Sequence, residues 1–153
     1  MQHDKVEILL VEDNPADVNV FQSAMTGPFH ISIAEDGAEA LDRLFQRGRF
    51  RESVRPDVVV IDLNLPLLNG HEVLNAVKAN SKLRSIPAIV FSASDNPGDI
   101  EKAYEFGASA YLVKPTDLAE LEATLSSFVE FWIARVVYPG LMRIHSRSAE
   151  RGS

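Results

Sequence analysis

Short apolar runs alternate with longer amphipathic stretches along most of the chain. The runs cover 6–11, 30–34, 57–61, 88–91 and 110–113, and they are rich in Val and Ile, mostly continuous rather than alternating. Runs of that length and continuity mark strands buried on both faces, as in a parallel sheet covered by helices. The stretches between them repeat apolar residues at three- and four-residue spacing. Leu41, Leu44 and Phe45 do so in the second, Val73, Leu74 and Val77 in the third after Gly70, and Ile100, Ala103 and Tyr104 in the fourth. Helix limits are also marked: Asn14-Pro15 is a cap with proline at the first helical position, Phe106-Gly107 is a stop, and Thr116 or Asp117 caps the fifth helix. Strict alternation of strand and helix predicts right-handed crossovers and an α/β, doubly wound parallel sheet.

In such sheets ligands bind outside the carboxyl ends of the strands. Chemistry-bearing residues stand there. Glu12 and Asp13 close the first run, Asp62 the third, Ser92 the fourth, and Lys114 the fifth, directly before Pro115. Three carboxylates packed together repel one another, and a hard divalent ion with oxygen ligands relieves the conflict. Each acid alone reads as a solvated loop residue or helix cap; together they read as a metal pocket. Asp62 is the candidate nucleophile, because a carboxylate can form an acyl phosphate. Asn64 is placed to offer its backbone carbonyl to the metal, or serves only turn chemistry. Lys114 suits a phosphate oxygen. Pro115 fixes the turn after it, and a cis bond there, the minority form, is one way to aim Lys114 inward. Ser92 offers a hydroxyl to an added phosphoryl group, or caps its own loop.

Composition narrows the class. The chain has 153 residues, 46% hydrophobic and 24% charged, which suits one packed domain. A formal net charge of -7 argues against nucleic-acid binding, which needs a basic face. The lack of cysteine excludes a disulfide framework and a thiolate metal site, and it fits a reducing, cytoplasmic setting. MQHDKVEILL lacks a signal peptide's basic and apolar regions, and no apolar run reaches the ~20 residues that span a bilayer, so no membrane is expected. The expected domain covers 1–140, with 141–153 as a flexible polar tail. The loop 46–56 carries Arg47, Arg49, Arg51 and Arg55 and reads as a solvated excursion, with partner docking as the alternative.

LLVEDN, DLNLP, PAIVFSAS and Gly107-Ala108 through Tyr111-Leu112-Val113-Lys114-Pro115 together resemble the receiver domain of two-component response regulators. The resemblance covers roughly residues 5–130. It implies a flavodoxin-like (βα)5 fold with strand order 2-1-3-4-5. It implies that Asp62 accepts phosphate from a histidine kinase. Asp13, Asp62 and the Asn64 carbonyl would bind Mg²⁺, with Glu12 supporting them. Ser92 and Tyr111 would act as switch residues, and Lys114 would contact the phosphate. Ser92 stands where the family more often has Thr, and Ser94 leaves the phosphoryl group more open. The long loop before the third strand and an aromatic C-terminal extension are similar to the single-domain regulators paired with bacterial and cyanobacterial phytochromes.

That extension continues the fifth helix, whose core stripe is Leu118, Leu121, Leu125, Phe128 and Trp132. Phe131, Ile133, Val136, Val137 and Tyr138 add apolar groups on the other faces. Such all-round apolarity points to a homodimer interface through Phe128, Phe131, Trp132, Val136 and Tyr138; the alternative is a tail folded back over its own domain. Pro139-Gly140 ends the helix and leaves no room for a DNA-binding output domain, so the signal is expected to pass by protein contact.

Other readings are open. A metal-dependent phosphatase with an aspartyl nucleophile wants a second acid two residues on, where Asn64 stands. A flavin-binding electron carrier wants a glycine- or hydroxyl-rich loop after the first strand, where VEDNPAD would repel phosphate. A degenerate receiver that only binds partners would not need Asp62 and Lys114. The balance falls on a signalling protein, not an enzyme with an outside substrate.

Overall fold

Five parallel strands form one sheet in the order β2-β1-β3-β4-β5 in the computed structural model, which describes residues 4–141. They are β1 (Val6–Val11), β2 (Phe29–Ala34), β3 (Val58–Ile61), β4 (Ala88–Ser92) and β5 (Ala110–Val113). The helices that follow them in turn are α1 (Pro15–Ala24), α2 (Gly37–Phe45), α3 (Gly70–Ala79), α4 (Pro97–Glu105) and α5 (Leu118–Phe128). This is the flavodoxin-like order expected from the sequence. The unbroken Val/Ile runs of β3 and β4 are buried along their whole length, whereas the edge strands β2 and β5 are only half covered.

Alternate residues of each strand divide the core into two layers. Leu9, Val11, Val59, Ile61 and Val90 pack with Leu44 of α2 and Leu74 and Val77 of α3. Ile8, Leu10, Val60, Ile89 and Phe91 pack with Phe21 of α1 and Leu125 and Phe128 of α5. The helix starts follow the sequence signals. Asn14 Oδ1 accepts from the Ala16 and Asp17 amides, and Asn69 and Glu72 form a reciprocal capping box on α3. Asp117, not Thr116, caps α5. Gly107 ends α4 with φ +102°, a left-handed conformation that favours glycine. One expectation fails. Tyr104 is 49% exposed rather than core, because its hydroxyl accepts the Tyr111 amide at the surface. The Lys114–Pro115 bond is trans, no cis bond occurring among the described residues.

The C-terminal extension departs from the stripe read in the sequence. After Phe128 the helix widens into a π turn over Val129–Ile133, with the Ala134 amide donating to the Val129 carbonyl at 3.0 Å. A turn closed five residues back inserts one residue and rotates everything after it. The buried position after Phe128 is therefore Ile133, and Trp132 is left half-buried. At the other end of the stripe Leu118 is exposed. Tyr138 is buried too, and its hydroxyl donates to the Trp132 carbonyl at 2.7 Å. The expected five-residue interface is thus corrected: Phe128 and Tyr138 are spent on the chain's own core, and Val136 and Trp132 pack against it. Phe131 and Val137 remain exposed. Leu141, expected in the flexible tail, is buried in the same layer; the rest of that tail lies outside the described residues.

The arginine-rich loop is largely exposed, and side-chain contacts tie it to α2. Its 3-10 turn, Gly48–Phe50, sets the Phe50 ring under the guanidinium groups of Arg43 at 4.3 Å and Arg49 at 4.6 Å. Arg47 pairs with Asp42, and Arg55 Nε donates to the Leu44 carbonyl at the end of α2.

Removing buried bulk should separate the two halves of the extension. Ile133→Ala is expected to cost about 2–5 kcal/mol, as a core truncation does. Phe131→Ala should change the stability of the monomer by less than about 0.5 kcal/mol. Urea unfolding of dilute protein measures both.

Candidate functional site

Strand register brings the site together. Val11 pairs with Ile61 and Ile61 with Val90, so β1 and β3 end level, and β4 and β5 run two residues further to the Ser92–Val113 pair. The Asp62 amide donates to the Val11 carbonyl at 3.1 Å, and the Lys114 amide to the Ser92 carbonyl at 2.7 Å. The residues that follow each strand therefore leave the sheet at one edge, and Glu12, Asp62 and Lys114 meet there.

Lys114 is the hub. Its Nζ donates to Glu12 Oε1, to Asp17 Oδ2 at 3.0 Å and to Asp62 Oδ2 at 3.0 Å. The ammonium stands 5.9 Å from the centroid of the Phe91 ring. Glu12 and Asp62 are buried, while the Asp17 side chain is 42% exposed. Asp62 Oδ1 accepts the Asn64 amide at 3.2 Å, and Glu12 Oε2 accepts the Asn14 amide. Asp13 is the exposed member of the group.

Charge in this pocket is unbalanced. Burial pushes the Glu12 carboxyl up to about 7, against the hydrogen bond from Lys114, and the Asp62 charge adds to the rise. Burial pulls the Lys114 ammonium down, but its hydrogen bonds to Glu12 and Asp17 and the charges of Asp62 and Glu12 outweigh it and raise the group above its ordinary range. One lysine faces four acids. The remaining negative charge attracts a cation, and Glu12, Asp13 and Asp62 each present a carboxylate oxygen within 4.8 Å of the others. This all-oxygen set fits a hard divalent ion. Both oxygens of Glu12 and both of Asp62 already accept hydrogen bonds, from Lys114 and from the Asn14 and Asn64 amides, which leaves Asp13 as the freer ligand.

The hydroxyl side of the pocket is ordered through β4. Ser92 is fully buried, and its Oγ accepts the Ser94 amide at 3.3 Å. Ser94 Oγ donates to Asp99 Oδ2 at 2.6 Å, fixing the loop to the first turn of α4. Tyr111 reaches from β5 across the same loop, its hydroxyl donating to the Ser94 carbonyl at 2.9 Å. Ser92 and Tyr111 are thus linked through the Ser94 backbone rather than in direct contact.

The sequence reading placed Glu12, Asp13, Asp62, Ser92 and Lys114 correctly at one edge and missed Asp17. Its signal was available. Asn14 as cap makes Asp17 the third helical residue, and side chains of a first turn lean back toward the helix start, here the strand ends.

Comparison with known proteins agrees with this geometry. Residues 8–126 match the response regulator receiver domain. Response regulator Rcp1 of a Synechocystis species is 36% identical over 135 residues, which are 86% of this chain and 92% of Rcp1. The Mn²⁺-bound form of Rcp1 superposes with a TM-score of 0.84. The phosphorylated cyanobacterial phytochrome response regulator RcpA superposes equally well, at 0.84, with 36% identity over 88% of this chain and 99% of that one. The bacteriophytochrome response regulator AtBRR gives 0.68 at 36% identity, over 85% of this chain and 96% of its own. With the acids, the lysine and the hydroxyl at one edge of a 2-1-3-4-5 sheet and a profile match over most of its length, the chain belongs to the response regulator receiver domain family.

Proposed function

We propose that the chain is the phosphoacceptor of a His–Asp phosphorelay and that Asp62 takes its phosphoryl group from a sensor histidine kinase, a phytochrome. The observation that carries this reading is the Asp62 carboxylate, buried at the end of a central strand, beside two further acids and 3.0 Å from the Lys114 ammonium. A buried carboxylate in that setting is aimed, partly desolvated and supplied with a cation for an incoming anion. A carboxylate oxygen of Asp62 attacks phosphorus, the P–N bond to the donor imidazole breaks, and that bond's electron pair leaves with the histidine. Lys114 holds a phosphoryl oxygen. Asp13, Asp62 and the Asn64 carbonyl would hold Mg²⁺, which when bound offsets charge on the phosphoryl oxygens. Relatedness to RcpA and AtBRR supports the phytochrome partner.

The phosphoryl group adds about -1.5 to -2 charges at pH 7. Ser92, buried at the end of β4, is the hydroxyl to receive it, and Tyr111 reads the Ser94 loop. A shift of that loop would reach the outside of β5 through Tyr111 and Tyr104, so the signal passes by protein contact on the cytoplasmic side rather than by DNA binding. The negative net charge supports this, and no helix among the described residues is long and apolar enough to cross a membrane. Phe131 and Val137, exposed and next to half-buried Trp132 and Val136, supply the apolar patch of a homodimer.

Incubation with acetyl phosphate and Mg²⁺ is expected to add one phosphoryl mass by intact mass spectrometry. Asp62→Asn and chelation should both abolish it, and an adduct that survives Asp62→Asn would overturn the assignment. A second outcome concerns pH. The raised Glu12 pKa means the folded state favours its protonated form. That contribution is complete below about 4.5 and is lost as pH rises through about 7, so metal-free protein should melt progressively lower over this window. Lys114, raised rather than lowered, stays charged throughout. Mg²⁺ should restore the lost stability near pH 7, and thermal unfolding at several pH values reads both effects. Size exclusion with light scattering should show a dimer at micromolar concentration, loosened in Phe131→Ala; a monomer at high concentration would remove the dimer.

A further inference from the structure

The Lys114 ammonium has three N–H donors, and all are used: Glu12, Asp17 and Asp62 each take one. A phosphoryl oxygen can reach Lys114 only if one of these partners gives way. The three are not equally free to do so. The Glu12 side chain is 4% exposed, and releasing it would leave a buried carboxyl without its partner; the Asp62 side chain, 9% exposed, loses its charge only after the phosphoryl bond has formed, too late to free a donor for the approaching anion. The Asp17 side chain is 42% exposed and regains water at once. Asp17 also stands in the first turn of α1, where the helix N-terminus favours its charge whether or not the lysine is present.

The geometry points to Asp17 as a positioning residue that holds the third Lys114 donor in the resting protein and yields it to the phosphoryl group. This rests on the phosphoacceptor reading of Asp62. Glu12 and Asp62 aim the ammonium, and Asp17 keeps its remaining N–H occupied, so the pocket does not collapse onto Lys114 before phosphate arrives. The same contact competes with phosphate. Asp17 therefore lowers the affinity of the pocket for a phosphoryl-like anion and shortens the lifetime of the Asp62 phosphate.

Beryllofluoride, which occupies the place of a phosphoryl group on a carboxylate, tests this by calorimetric titration in saturating Mg²⁺. Asp17→Asn keeps the shape and removes the charge. It should bind beryllofluoride roughly two- to fivefold more tightly, the scale of an exposed ion pair, and Asp17→Glu should return the affinity toward that of the unaltered chain. The control is Mg²⁺ alone. If Asp17 acted only by adding negative charge to the pocket, Asp17→Asn would weaken Mg²⁺ binding by the factor it strengthens beryllofluoride. Competition for Lys114 predicts a change in Mg²⁺ affinity of less than about twofold. Unchanged or weaker beryllofluoride binding in Asp17→Asn, or matched opposite changes for the two ions, overturns the proposal. If the unaltered chain binds no beryllofluoride, the phosphoacceptor reading itself fails. Circular dichroism confirms that the variants are folded.

Discussion

One ammonium group among four acids organises the carboxyl edge of this sheet. Lys114 joins the end of β5 to the ends of β1 and β3 and to the start of α1, across as many as 102 residues of chain. Without it, Glu12 and Asp62 would be buried carboxylates side by side, and one would have to take up a proton or leave the pocket. With it, Glu12, Asp17 and Asp62 share one counter-ion at the edge of the sheet. The same arrangement thus answers a folding problem and sets up the chemistry. It also explains why the site is poised rather than closed: one of the lysine's partners is half in water.

The rest of the fold serves that edge. The level ends of β1 and β3 follow from the parallel register, and the register is secured by two core layers that take alternate residues of each strand. Gly70 shows how tightly the loop after Asp62 is held. A Cβ at this first residue of α3 would lie 2.6 Å from the Asp62 carbonyl oxygen, so only glycine lets the helix approach the Asp62 backbone. On the opposite layer the C-terminal extension closes over α1 and α5 through Ile133, Tyr138 and Leu141.

Much of this was legible in the sequence because it is periodic or local. Continuous Val/Ile runs identified the inner strands, Asn14-Pro15 the start of α1, and acids at run ends the chemical edge. What escaped reading depends on geometry that no local pattern encodes. The Asp17 contact needs the exact setting of α1 against a lysine 97 residues away. The π turn escaped because the apolar spacing continues through it, and both Trp132 and Ile133 are apolar; only the inserted residue decides which is buried. Tyr104 had helical spacing, yet its hydroxyl holds it at the surface against β5.

The central claim is that, of four clustered acids, Asp62 alone is the nucleophile. Reduction of acetyl-phosphate-treated protein with borohydride tests it directly, because an acyl phosphate is reduced to an alcohol and leaves a permanent mark in the peptide. The account predicts homoserine at position 62 and unaltered residues at Glu12, Asp13 and Asp17. Reduction at any of those three, or at none of the four, would contradict it.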